Sequence, residues 1–159
     1  MTYTVRGAQA QQRFGALLAK QLLADDVLLL YGDLGAGKSE LTRGIAKGLG
    51  TPGYITSPTF TILQVHEGGR LALYHFDWYR VSGAEELWAL NLDEYLHMGG
   101  VAAVEWPDQA PEVIPESYLR VEIEAVSAEE RRITLTPVGG FRALLPIDWE
   151  ERVDESVGD

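Results

Sequence analysis

Apolar positions along the chain follow two alternating patterns. Phe14, Leu17, Leu18 and Leu22 recur at helical spacing within Ala8 to Ala24, which predicts an amphipathic helix ending before Asp25-Asp26. Val27-Leu28-Leu29-Leu30-Tyr31 is then an unbroken apolar run, short enough for a strand buried on both faces. Helical spacing returns over Glu40 to Lys47, and the glycines and proline of Gly48 to Gly53 end it. Ile55 to Thr59 reads as a loop feeding a strand. Phe60 to Val65 and Leu71 to Phe76 alternate on either side of Glu67-Gly68-Gly69, the pattern of a β-hairpin.

The second half repeats these signals. Ala84 to Leu92 and Leu92 to Met98 predict two short helices with a break near Asn91, the second stopped by Gly99-Gly100. Val101-Ala102-Ala103-Val104 is a small apolar run leading to Glu105-Trp106-Pro107, as in a central strand with an acid at its carboxyl end. Tyr118 to Val126 and Ile133 to Pro137 alternate as strands, expected to be antiparallel and at the sheet edge, joined by the polar Ser127 to Arg132 turn. Residues 1–149 make one domain, and 150–159 an acidic, weakly patterned tail expected to fray.

Composition narrows the class. At 159 residues and 46% hydrophobic, with no long apolar run, the chain reads as a soluble globular domain without a membrane span. Met1-Thr2-Tyr3-Thr4 lacks the basic and apolar regions of a signal peptide, so the cytoplasm is the default location. With no cysteine, disulfides, thiolate metal sites and cysteine nucleophiles are excluded. Residues 1–80 hold eight Lys or Arg and six Asp or Glu, whereas 81–159 hold five and eighteen. The acidic half would repel a phosphate backbone, so direct, independent nucleic-acid binding is not expected. It either aids solubility or meets a basic protein partner.

One stretch carries specific chemistry. Gly32-Asp33-Leu34-Gly35-Ala36-Gly37-Lys38-Ser39 fits GxxxxGK[ST], the Walker A loop, between an apolar strand and a helix as that loop requires. Gly35 and Gly37 permit backbone angles that turn successive amides toward a phosphate at the positive end of a helix. Lys38 would reach the β- and γ-phosphates and Ser39 would bind Mg²⁺. Glu40 would repel phosphate if it pointed inward, so it is expected to point outward. The fold class implied is α/β: a single P-loop NTPase domain whose mixed sheet has parallel core strands, antiparallel edge strands and flanking helices.

Hydrolysis also needs a metal ligand, a placed water and a γ-phosphate sensor. Glu105 fits metal ligation, with a satisfied structural acid as the alternative. Asp77, ending the neighbouring strand, fits orientation of the attacking water or a second metal-shell carboxylate. Thr59 is either a switch-like hydroxyl closing on the metal or part of an ordinary Ser-Pro turn. His75, between Tyr74 and Phe76, reads as a packed core or a surface histidine rather than a catalytic one. Tyr79, Arg80 and Trp106 flank the acids and could form a docking surface, with core packing the alternative for the aromatics.

These blocks, GDLGAGKS, TRGIAKGLG at Thr42 to Gly50, SPTFT at Ser57 to Thr61, YHFDWYR at Tyr74 to Arg80 and VEWP at Val104 to Pro107, resemble the TsaE (formerly YjeE) family of small bacterial ATPases. The family's usual GKTT is GKSE here, and Trp78 stands where Leu is common. The resemblance implies a weak Mg·ATPase supporting threonylcarbamoyl-adenosine (t6A) modification of tRNA. Its implied partners are a threonylcarbamoyl transferase catalytic subunit and that subunit's non-catalytic paralogue. It also implies that Ser39 and Glu105 contact Mg²⁺ and that Asp77 supports hydrolysis. A small-molecule kinase and a nucleotide-gated binding module are the rival readings. Guanine specificity is disfavoured, because none of Lys20, Lys38 and Lys47 begins a KxD.

Overall fold

The computed structural model describes residues 1–33, 35–52, 62–150 and 152–153. Its strands are β1 (Thr2–Arg6), β2 (Val27–Tyr31), β3 (Leu63–His66), β4 (Leu73–Asp77), β5 (Val101–Glu105), β6 (Tyr118–Ala125), β7 (Glu130–Val138) and β8 (Arg152–Val153). They form one sheet in the order β3-β4-β5-β2-β6-β7-β1-β8. The β4–β5, β5–β2 and β2–β6 pairs are parallel; the β3–β4, β6–β7, β7–β1 and β1–β8 pairs are antiparallel. The architecture is the expected mixed α/β sheet with a parallel centre.

The sheet departs from expectation in two places. β6 pairs antiparallel with β7 as expected, but the two are not at the edge: β6 runs parallel to β2 on its inner side, and β1 and β8 are added beyond β7. The sequence reading also overlooked β1, whose two inward positions, Tyr3 and Val5, are too few to show a period yet are fully buried. β8 contributes Arg152 and Val153 from the expected tail, paired with Tyr3 and Thr2.

The helices are α1 (Ala8–Ala19), α2 (Lys38–Leu49) and α3 (Ala84–Ala89). α1 stops short of Ala24 because the amides of Lys20, Gln21 and Leu22 bond three residues back, to Leu17, Leu18 and Ala19. α2 outruns Glu40 to Lys47 at both ends and closes on Gly50, whose φ of 86° gives the left-handed cap. α1 and α2 pack in direct backbone contact: a Cβ on Gly44 would lie 2.1 Å from the Gln12 carbonyl oxygen, and one on Gly48 2.5 Å from that of Ala16. Their apolar stripes, with Phe14, Leu18, Leu41 and Ile45, bury one face of the sheet.

Among the described residues the opposite face is covered chiefly over β4, β5 and β2, with Leu63 of β3 and Tyr118 of β6 at its margins. There α3 and the 3₁₀ turns at Leu92–His97, Pro107–Gln109 and Pro111–Val113 pack on Tyr74, Phe76, Trp78, Ala102 and Val104. β2 and β5, sandwiched between layers, are apolar at nearly every position, whereas β6 alternates buried with partly exposed residues. The expected break at Asn91 is a residue with φ 58° between α3 and the next turn. Among the described residues no helix is long and apolar enough to cross a membrane.

Candidate functional site

Strand pairing assembles the site. Asp77 stands opposite Glu105 in the β4–β5 ladder, and Glu105 opposite Leu30 in the β5–β2 ladder, so both carboxylates end beside the loop that leaves β2. In that loop Gly35 has φ 81° and Gly37 φ 112°, values that side chains rarely adopt. A Cβ on Gly37 would lie 2.0 Å from Gln11 Oε1, the movable end of a side chain, so the positive φ rather than this contact calls for glycine there. From the far side, Arg131 on β7 donates from Nε to the Ala36 carbonyl at 2.8 Å and from Nη2 to that of Gly35 at 3.4 Å.

A hollow of about 390 Å³ opens over the loop. It brings together Gly35, Gly37, Lys38, Ser39 and Glu40 with Asp77, Tyr79, Arg80, Glu105 and Trp106. Gly32, Asp33 and Ala36 instead border a neighbouring hollow of about 520 Å³ beside β6. Leu34 and Thr59 lie outside the described residues, as do residues 53–61 around Thr59. Glu40 is on the rim, where its carboxylate accepts from Gln12 Nε2 at 2.6 Å and pairs with Arg43. Its charge is thus engaged by Gln12 and Arg43, while the residue still lines the hollow from which it was expected to point away.

Lys38 folds inward. Its Nζ donates to the Gly32 carbonyl at 2.8 Å and sits 4.0 Å from the centre of the Trp106 ring. Burial lowers its pKa, an effect opposed by the nearby Glu105, Asp77 and Asp33 carboxylates. Asp77 Oδ1 accepts the Tyr79 amide at 2.9 Å. Burial raises the Asp77 pKa, with Glu105 adding to the rise; the Tyr79 amide, His75 and Lys38 oppose it. His75 takes the buried of its two open settings, and its Nε2 lies 2.6 Å from Glu105 Oε2, a contact that no sequence pattern announces.

The aromatics divide their roles. Trp106 has φ 58° and ψ 50°, an unfavourable region for a side-chain-bearing residue, and this turn carries its ring over Lys38. Tyr79 packs against it at a tilt of 53°, ring centres 5.0 Å apart, while remaining half-exposed. Ser39 and Glu105 offer the hollow a hydroxyl and a carboxylate, hard oxygen donors that suit Mg²⁺. Among the described residues no three His, Cys, Asp or Glu cluster to hold a metal, so such an ion would need phosphate and water to complete its shell.

Gln11, Arg131 and the His75 contact escaped the sequence reading. Gln11 left a trace: a polar residue three before Phe14 and seven before Leu18, on the buried stripe. Arg131 left none, since it reaches Gly35 across 96 residues.

Comparison with known proteins places this geometry. The family described as "Threonylcarbamoyl adenosine biosynthesis protein TsaE" matches residues 5–133. A protein of that name from Bacillus subtilis is 47% identical over 120 residues, 76% of this chain and 75% of its own length. One from Streptomyces coelicolor is 42% identical over 135 residues, 80% of this chain and 90% of its own. The crystal structure of Bacillus subtilis YdiB superposes with a TM-score of 0.73 at 39% identity, covering 87% of this chain and 86% of that one.

Proposed function

The chain belongs to the TsaE family, and from that premise we propose that it binds Mg·ATP, hydrolyses it slowly and supports the threonylcarbamoyl transferase assembly in tRNA t6A biosynthesis. The observation that carries the ATPase reading is the convergence of Lys38, Ser39, Asp77 and Glu105 on one hollow above a glycine loop at a helix start. The amides around Gly35 and Gly37 would cradle phosphate, and Lys38 would leave the Gly32 carbonyl to meet the β- and γ-oxygens.

Ser39 and Glu105 would hold Mg²⁺, which when bound neutralises charge developing on the phosphates. Asp77, its carboxylate aimed by the Tyr79 amide, would orient the attacking water. Tyr79, Arg80 and Trp106, at the mouth of the same hollow, would carry the nucleotide state to the transferase catalytic subunit and its non-catalytic paralogue. The tRNA pool served by such an assembly is cytoplasmic, and the acidic second half of the chain leaves tRNA contact to the partners.

Phosphate release and nucleotide binding test the reading together. Asp77→Ala is expected to lower ATP hydrolysis at least about 100-fold while a non-hydrolysable analogue still binds. Unchanged turnover removes the Asp77 role. Pull-down with and without ATP should recover the transferase subunits in one nucleotide state; recovery in neither overturns the coupling. Consumption of ATP only when a phosphate-accepting metabolite is added would make the protein a kinase instead.

A further inference from the structure

We infer that His75 is a positioning residue that holds Glu105 as a one-oxygen metal ligand, an inference that rests on the proposed metal role of Glu105. The geometry follows from the register. His75 on β4 stands opposite Ala103 on β5, and Glu105 is two residues further along the same face of the sheet. The methyl group of Ala103 leaves room for the imidazole to lean diagonally toward the strand end, where Nε2 meets Glu105 Oε2 at 2.6 Å.

A carboxylate only accepts, so the ring proton is on Nε2 and points at Oε2. That bond occupies one oxygen of Glu105 and leaves Oε1 for the hollow that Ser39 and Lys38 also line. Both side chains are nearly sealed from water, His75 at 1% and Glu105 at 5% exposure, so neither rotates freely and the bond is not diluted by solvent. The other ring nitrogen, Nδ1, is buried and has no hydrogen-bond partner among the described residues. A histidine retained only as filler would be better replaced by an apolar side chain of that shape, which leaves no orphaned nitrogen. The tolerated orphan marks Nε2 as the atom that matters.

Gln and Asn separate the two nitrogens, because the Gln amide reaches the place of Nε2 and the Asn amide only that of Nδ1. The measurement is Mn²⁺ affinity, by electron paramagnetic resonance, with a non-hydrolysable ATP analogue bound. His75→Gln is expected to stay within about threefold of the parent, and His75→Asn to lose about tenfold or more. In a Glu105→Gln background His75→Asn should change nothing further. Parental affinity for both His75 variants, or an undiminished effect of His75→Asn beside Glu105→Gln, overturns the inference.

If Glu105→Gln alone leaves Mn²⁺ affinity unchanged, the metal role of Glu105 falls, whatever the His75 variants do. If Glu105→Gln weakens binding and His75→Asn does not, only the inference falls. Should His75→Asn not fold, the unsubstituted protein decides by ¹⁵N-edited NMR. An exchange-protected His75 Nε2–H signal that survives saturation with Mg²⁺ and the analogue supports positioning; its loss on saturation overturns it.

Discussion

The two faces of the sheet are built to different standards. On one, α1 and α2 press backbone to backbone through Gly44 and Gly48 and bury Phe14, Leu18, Leu41 and Ile45. On the other, the six residues of α3 and three short 3₁₀ turns rest on an aromatic cluster, with Phe76 and Trp78 in edge contact at 5.8 Å. That second layer leaves Trp88 46% and Leu90 57% exposed. The phosphate loop opens directly into α2, so it is mounted on the tight layer, where small displacements are costly. The looser layer touches the hollow at its mouth, where Gln109 Nε2 donates to the Tyr79 carbonyl at 2.8 Å and Trp106 packs on the cluster, and it presents apolar side chains outward.

The largest test of this contrast is Gly44→Ala. Its new methyl would overlap the Gln12 carbonyl, a backbone atom that cannot swing aside, and should cost about 3 kcal/mol, lowering Tm by roughly 10 °C. A shift under about 2 °C would show that the helix pair separates freely.

Asp77→Asn should act in the opposite direction and by less. Burial raises the folded pKa above the ordinary 3.8, so the fold binds this proton more tightly than the unfolded chain does. That stabilisation is complete below pH 3.8 and is lost as pH rises through the folded value, leaving ionised Asp77 a net cost at neutrality. Asn keeps the Tyr79 hydrogen bond and removes the charge. Partial exposure tempers the gain to about a degree or two in Tm at pH 7, while hydrolysis falls. A lower Tm would mean that Lys38 and His75 more than offset the burial.

The smallest effect is expected from Leu90→Ser on the loose layer. Melting should place its stability within about 0.5 kcal/mol of the parent, with hydrolysis unchanged. A larger loss would show that this layer is as closely packed as the other.

Much of the fold was legible because the informative patterns are local. Unbroken apolar runs at Val27 to Tyr31 and Val101 to Val104 announced strands covered on both faces, and Tyr118 to Val126 announced one covered on a single face. The alternation in Tyr118 to Val126 carried no information on which strands flank it, which is why a strand that pairs antiparallel with β7 but also parallel with β2 was expected at the sheet edge. At the site, the glycines, Lys38 and Ser39 were legible as one contiguous motif, and Asp77 and Glu105 as acids ending apolar strands.

By itself the amino-acid order determined the elements that a few neighbouring residues can specify: the phosphate loop, the buried strands, the hairpin and the turn at Asn91. Tertiary structure alone decided which strands lie side by side, and therefore that His75 reaches Glu105 and that Arg131 tethers the loop of Gly35 and Ala36. The reason is physical. A hydrophobic period reports which face of an element is dry, whereas adjacency depends on how crossovers and two helical layers share one core, a sum over contacts that no local stretch contains.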